Sequence, residues 1–163
     1  MNLRLRLLET IVERRSRGKL FRVQSRASGK FYNVRHAMLD VMNAGTDDGV
    51  PASILREFNY MKALASPYTQ SVVAHEIHGS CVKIQYEHHP TNLRDFMTKN
   101  QSPNLKFYSP TGRQDLVRSL TRGLLKALAW CHSHDVMHRN LKPENILLNG
   151  SGEVLLTDFS LAR

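Results

Sequence analysis

Val136-Met137-His138-Arg139-Asn140-Leu141-Lys142-Pro143-Glu144-Asn145 is the stretch whose reading decides the fold, and thirteen residues after Asn145 comes Asp158-Phe159-Ser160. Between them run Ile146-Leu147-Leu148, then Asn149-Gly150-Ser151-Gly152, then Val154-Leu155-Leu156. Two short apolar runs around a glycine-bearing turn predict a β-hairpin. Such a hairpin returns the chain on itself and sets Asp158 beside Asn145.

The 136–145 stretch closely resembles the protein-kinase catalytic loop, H-R-D-L-x-x-x-N, and Asp158-Phe159-Ser160 resembles the D-F-G motif. Upstream, Pro51-Ala52-Ser53-Ile54-Leu55-Arg56-Glu57, preceded by Asp48-Gly49-Val50, is similar to the P-S-T-A-I-R-E helix of cyclin-dependent kinases. Ala129-Trp130-Cys131-His132-Ser133-His134 and the final Asp158-Phe159-Ser160-Leu161-Ala162-Arg163 point the same way. The resemblance reaches back to about residue 7 and covers nearly the whole chain. It implies an α+β, protein-kinase-like fold with a complete, mostly β N-lobe over 1–87 and the first part of a helical C-lobe over 88–163. The activation segment and later helices of that family do not follow Arg163, so the resemblance implies a truncated lobe. It also implies an apolar helix face at Leu116, Leu120, Leu124 and Leu128 that the missing helices would cover.

The same resemblance distributes roles. Asn140 stands at the catalytic aspartate position, with Lys142 and Asn145 completing the catalytic loop. Asn145 and Asp158 are the expected Mg²⁺ ligands. Gly18, Arg35, Glu57, Glu87, His89 and Leu147 are assigned to ATP, with Glu87 and His89 in the hinge and His89 donating its backbone amide to adenine.

Departures from the pattern imply impaired chemistry. The glycine-rich loop reads Glu13-x-Arg15-x-x-Gly18, so only its last glycine remains. Arg35 replaces the strand lysine; it keeps the charge toward Glu57 but is not a drop-in for a compact ammonium. Asn140 has no carboxylate basicity, a loss worth roughly 10²- to 10⁴-fold where general-base help is needed. Ser160 replaces the glycine that gives the Asp-Phe pair its freedom. The implied protein is a pseudokinase-like polypeptide, with ATP and Mg²⁺ held weakly and a cyclin-like or other protein partner at the 51–64 helix. A working serine/threonine kinase is the alternative.

Elsewhere the pattern is ordinary. Alternating Leu3, Leu5 and Leu7 read as a strand, followed by strands at Leu20–Val23 and Phe31–Val34 around a Ser25–Gly29 turn. Gly45–Gly49 is a turn cluster, and Ile54, Leu55, Phe58, Met61 and Leu64 mark one face of a helix starting at Pro51. Strands at 71–78 and 81–87 flank Gly79-Ser80, a short helix suits 92–99, and 102–112 reads as a loop. Asp115–Cys131 carries leucines at helical spacing.

The chain has 163 residues, 23 Lys+Arg against 14 Asp+Glu, and a net charge of +9. Disorder does not fit this composition, and no apolar run approaches the roughly 18 residues of a membrane span. Cys81 and Cys131 form no disulfide framework, which suits a reducing cytoplasmic or nuclear setting. Residues 1–35 hold ten of the Lys/Arg and only Glu9 and Glu13 as acids. That end reads as a solvated basic face, with a polyanion-binding module or a transit segment as alternatives; nucleic acid is not the expected partner. His75-Glu76-Ile77-His78 lacks the spacing of a helical zinc motif. For Arg35 and Glu57 the plain alternatives are a surface arginine and a solvated helix charge.

Overall fold

The computed structural model describes residues 5–14, 18–38, 52–78, 81–99 and 110–163. Arg15, the Gly45–Gly49 cluster, Asp48-Gly49-Val50, Pro51, the Gly79-Ser80 turn and positions 102–109 lie outside the described residues. The chain forms two compact units, Met1–Lys62 with Ser71–His88, and Ala63–Gln70 with His89–Arg163. The sequence reading divides it once, between 87 and 88, whereas the contacts also group 63–70 with the later unit.

The first unit is a five-stranded antiparallel sheet of β1 (Leu5–Arg14), β2 (Gly18–Ser25), β3 (Phe31–Met38), β4 (Val72–His78) and β5 (Cys81–Glu87), in the order β1-β2-β3-β5-β4. Helix α1 (Ala52–Ala63) connects β3 to β4. Cross-strand neighbours share a face, so the register Asn33↔Tyr86, Arg35↔Ile84 and Ala37↔Val82 puts these residues together on one side. α1 lies against that side: Phe58 meets the His75 ring at 4.6 Å between centroids, and Ile54, Glu57 and Met61 are buried. Gly18 opens β2 at φ +73°, and a Cβ there would run into the His36 carbonyl and stand 2.7 Å from the Ala37 Cα. Packing against β3 alone therefore demands glycine at this position.

The second unit combines α2 (Leu93–Lys99) and α3 (Pro110–His132) with a small sheet of β6 (Thr91–Asn92), β7 (Ile146–Leu148) and β8 (Val154–Leu156). Asn92 caps α2, its Oδ1 accepting the Asp95 amide at 2.9 Å while its Nδ2 donates to the Asp95 carboxylate at 2.9 Å. α3 starts five residues before the sequence-read Asp115, and 110–112 are helical instead of loop. Proline suits a helix's first residue, where its missing N–H satisfies nothing in any case. The leucine stripe is not the most deeply packed face of α3. Ala127 and Cys131 are completely buried, and a Cβ at Gly123 would come within 3.1 Å of Val154, while Leu120, Leu124 and Leu128 are half-buried.

Residues from before β4 close this unit. The Gln70 amide donates to the Leu156 carbonyl at 2.9 Å and the Leu156 amide to the Tyr68 carbonyl at 2.8 Å, so Thr69 pairs with β8 in parallel. Thr69 and Trp130 both bond the Leu64 carbonyl, at 2.7 and 3.2 Å. Met137 and Arg163 exchange backbone hydrogen bonds of 2.8 and 3.0 Å.

Candidate functional site

Two polar clusters, one in each unit, carry the residues singled out in the sequence. In the second unit the β7–β8 hairpin leads from Asn145 to Asp158, and the Thr157 amide donates to the Asn145 carbonyl at 3.1 Å. Asn145 closes a 3-10 turn at Pro143–Asn145 and is buried; its Nδ2 donates to the Asn140 carbonyl at 2.8 Å. Asn140 Nδ2 donates in turn to Asp158 Oδ2 at 2.9 Å, and Ser160 Oγ donates to Asp158 Oδ1 at 2.6 Å. Asp158 adopts a left-handed backbone, φ 62° and ψ 64°, and Arg139 shares that conformation at φ 58°. Such conformations cost a non-glycine residue roughly 1–3 kcal/mol, and the network around Asp158 holds the backbone there.

His138 anchors the loop from beneath. Its ring is buried, Nε2 donates to the Thr157 carbonyl at 2.9 Å, and Nδ1 accepts the Asn140 amide at 3.2 Å. These two bonds fix the neutral tautomer that carries its proton on Nε2. Burial pushes the imidazole below its ordinary pKa, against the opposing pull of the Thr157 carbonyl and the Asp158 charge. Phe159, fully buried, sets its ring edge-on to His138 at 4.7 Å. Thr157 Oγ1 donates to Gln70 Oε1 at 2.6 Å, tying the loop to the 63–70 segment. Lys142 is half-buried; its carbonyl accepts the Asn145 amide at 2.9 Å, and its ammonium makes no hydrogen bond or ion pair among the described residues. Leu147 sits mid-β7, paired with Asn92 and Leu155.

In the first unit Arg35 Nη1 lies 3.1 Å from Glu57 Oε2, with the two side chains 14% and 2% exposed. Burial of both excludes the plain surface readings of these residues. Tyr86, on the same sheet face, donates its hydroxyl to Glu57 Oε1 at 3.2 Å and carries the Arg35 guanidinium 6.0 Å from its ring centroid. Glu57 thus receives a cation on one oxygen and a phenol on the other. The His88 ring donates from Nδ1 to Asn33 Oδ1 at 3.1 Å, the unit boundary falls between His88 and His89, and Glu87 is exposed. Sequence reading found Arg35 and Glu57 but not Tyr86, His138, Gln70 or Asn33. Only His138 had a visible signal, the first letter of the H-R-D-like motif.

A cation test turns on the donor set. Asn145 spends its amide nitrogen on Asn140, so its side chain turns its oxygen to the site, and Asp158 brings a carboxylate. An amide oxygen and a carboxylate from two residues fit Mg²⁺.

The family model for the protein kinase domain matches residues 14–163. The chain belongs to the protein kinase domain family, and the α+β architecture above is that family's fold.

Proposed function

We propose that this chain is a pseudokinase-like member of its family, from the cyclin-dependent-kinase-like branch, impaired in phosphoryl transfer and acting by binding. One observation carries this reading: Asn140, at the catalytic aspartate position, turns its amide nitrogen into Asp158. The group offered there is a hydrogen-bond donor already in use, where transfer needs a basic acceptor for a hydroxyl proton. An aspartate in this place would set two carboxylates against each other and call for a cation; the amide satisfies Asp158 without one.

ATP with Mg²⁺ supplies a transferable phosphoryl group in this family. Asn145 and Asp158 are the residues that would hold the metal, and Arg35, positioned by Glu57, offers a cation to phosphate. Gly18 and Leu147 would contribute backbone and an apolar surface, and Glu87 and His89 the hinge backbone. With one glycine left in the β1–β2 loop, binding is weak, with a Kd near or above the ~1 mM that corresponds to about 4 kcal/mol. Leu55, exposed on α1, supports a protein partner at that helix. The free thiols Cys81 and Cys131 suit a cytoplasmic or nuclear setting.

The test is radiolabel transfer from ATP to a generic serine/threonine substrate by the purified chain. We expect none above background; transfer that disappears in Asp158→Ala overturns the proposal. The Arg35–Glu57 pair favours the second reading, a serine/threonine kinase, and that same result would establish it.

A further inference from the structure

The first unit also has a polar concavity, on β1, β2 and the turn that follows β2. A cavity of about 440 Å³ is lined by Arg6, Gln24, Ser25, Arg26 and Gly29. We propose that it is a phosphate-monoester site whose occupant is a phosphorylated serine or threonine side chain of a peptide.

The construction of the site supports an anion. Arg6 and Gln24 are cross-strand partners on β1 and β2, so they project to one face, and Leu5 pairs with Ser25 beside them. Arg26 opens the turn that follows β2. Neither guanidinium has a carboxylate partner among the described residues, and no acid lines the cavity. The nearby strand acid Glu9 is engaged by Arg22 at 2.8 Å. Two guanidinium forks at one mouth match the several acceptor oxygens of a doubly charged phosphoryl group.

Ser25 braces the turn: it is 2% exposed, and its Oγ accepts the Ser28 amide at 3.2 Å. It follows Gln24 on β2, so its side chain takes the sheet face opposite that of Arg6 and Gln24, and the anion is left to the two guanidinium groups.

The turn is also set in advance. Gln24 Nε2 donates to the Gly29 carbonyl at 3.0 Å, the Gly29 amide to the Ser25 carbonyl at 2.9 Å, and the Ser25 amide to the Lys30 carbonyl at 2.9 Å. Gly29 holds φ +67°, which a side chain would resist. A preformed turn spends little ordering entropy on binding.

Cavity size and topology select the carrier. The volume falls in the range of roughly 300–1,000 Å³ typical of ligand sites, far more than one phosphate fills. β1 is the last strand on its side of the described sheet, and an extended peptide can run beside such a strand while its phosphoryl group enters the pocket.

The full chain would be titrated by fluorescence anisotropy with a labelled phosphoserine peptide flanked by alanine and glycine, and with its unphosphorylated twin. Orthophosphate and phosphoinositide-containing vesicles would serve as competitors. We expect saturable binding of the phosphopeptide, on the order of tenfold weaker or worse in the twin, in Arg6→Ala and in Arg26→Ala. The charge-matched control Arg122→Ala, at an exposed position of α3, should bind like the parent. Both pocket arginines are exposed, so the fold should survive either change, and Arg26→Ala, on the turn, provides an independent check. Equal weakening in Arg122→Ala would reduce the effect to net charge and overturn the site. Orthophosphate binding as tightly as the peptide, or vesicles binding where the peptide does not, would overturn the proposed occupant. Loss in Asp158→Ala would overturn the assignment to this cavity.

Discussion

The Asn140 amide and the Asp158 carboxylate meet at 2.9 Å, and Ser160 closes on the other carboxylate oxygen at 2.6 Å. A neutral donor and a hydroxyl thus do locally what a metal ion does for two facing acids. Asn140→Asp should consequently fail to restore phosphoryl transfer. It removes a donor to a buried carboxylate and introduces a like charge, so the variant should lose about 1–3 kcal/mol in urea unfolding. Transfer above background, or unchanged stability at neutral pH, would contradict this.

Glu57 is the pivot of the first unit's polar cluster. Glu57→Ala takes the carboxylate away from the buried Arg35 and should cost about 3–5 kcal/mol. Tyr86→Phe removes one charge-assisted bond and should cost about 1–3 kcal/mol. The double change Arg35→Met with Glu57→Leu should recover much of the Glu57→Ala loss, because no buried charge then remains. Denaturant melts of the variants check the order, and additive losses in the double variant would refute it.

Gly18→Ala should destabilise the chain with no nucleotide present. The left-handed backbone alone costs about 1–2 kcal/mol for an L-residue, and the methyl group also meets the β3 backbone. A nucleotide-free melt equal to the parent's would leave phosphate binding as the reason for this glycine.

His138 gives stability an acid limb. Its folded pKa lies below the ordinary value of about 6.5, so below that pH the unfolded chain binds the proton more readily. Stability contributed by the neutral ring is complete above about pH 6.5 and is lost as pH falls from there toward the folded pKa. His138→Gln should flatten the slope between about pH 5 and 7, as measured by urea titrations across that interval. An unchanged slope would assign the limb to another group.

What the sequence discloses here depends on range. The β7–β8 hairpin and the Asn145-to-Asp158 return are local, because Gly152 at φ +80° supports the turn between two short apolar runs. Over 54–64, apolar spacing picks out Ile54, Met61 and Leu64, which are buried, but also Leu55, which is exposed, while buried Glu57 is marked only by the resemblance of 51–57. Tyr86 escaped because a strand residue's face is known only once its register is, and Tyr86 acquires its meaning opposite Asn33, beside Arg35. Along α3, hydropathy draws attention to leucines, while a close approach to β8 is made where there is no side chain, at Gly123. Gln70 escaped for a third reason: its partner Thr157 lies 87 residues away, and nothing local marks either one.

The pairing of Thr69 with Leu156 makes the two units unequal heirs of the chain. A fragment beginning at His89 would carry every helix and strand of the later unit and still lack one side of β8. The amide and carbonyl of Leu156 would lose the Tyr68 and Gln70 backbone that satisfies them, and Trp130 would lose the Leu64 carbonyl. Cutting the chain between His88 and His89 would therefore not separate two self-sufficient pieces. The later piece can complete itself only when the earlier one has already delivered residues 63–70, so the order of synthesis from the N-terminus is also the order in which its edge becomes available.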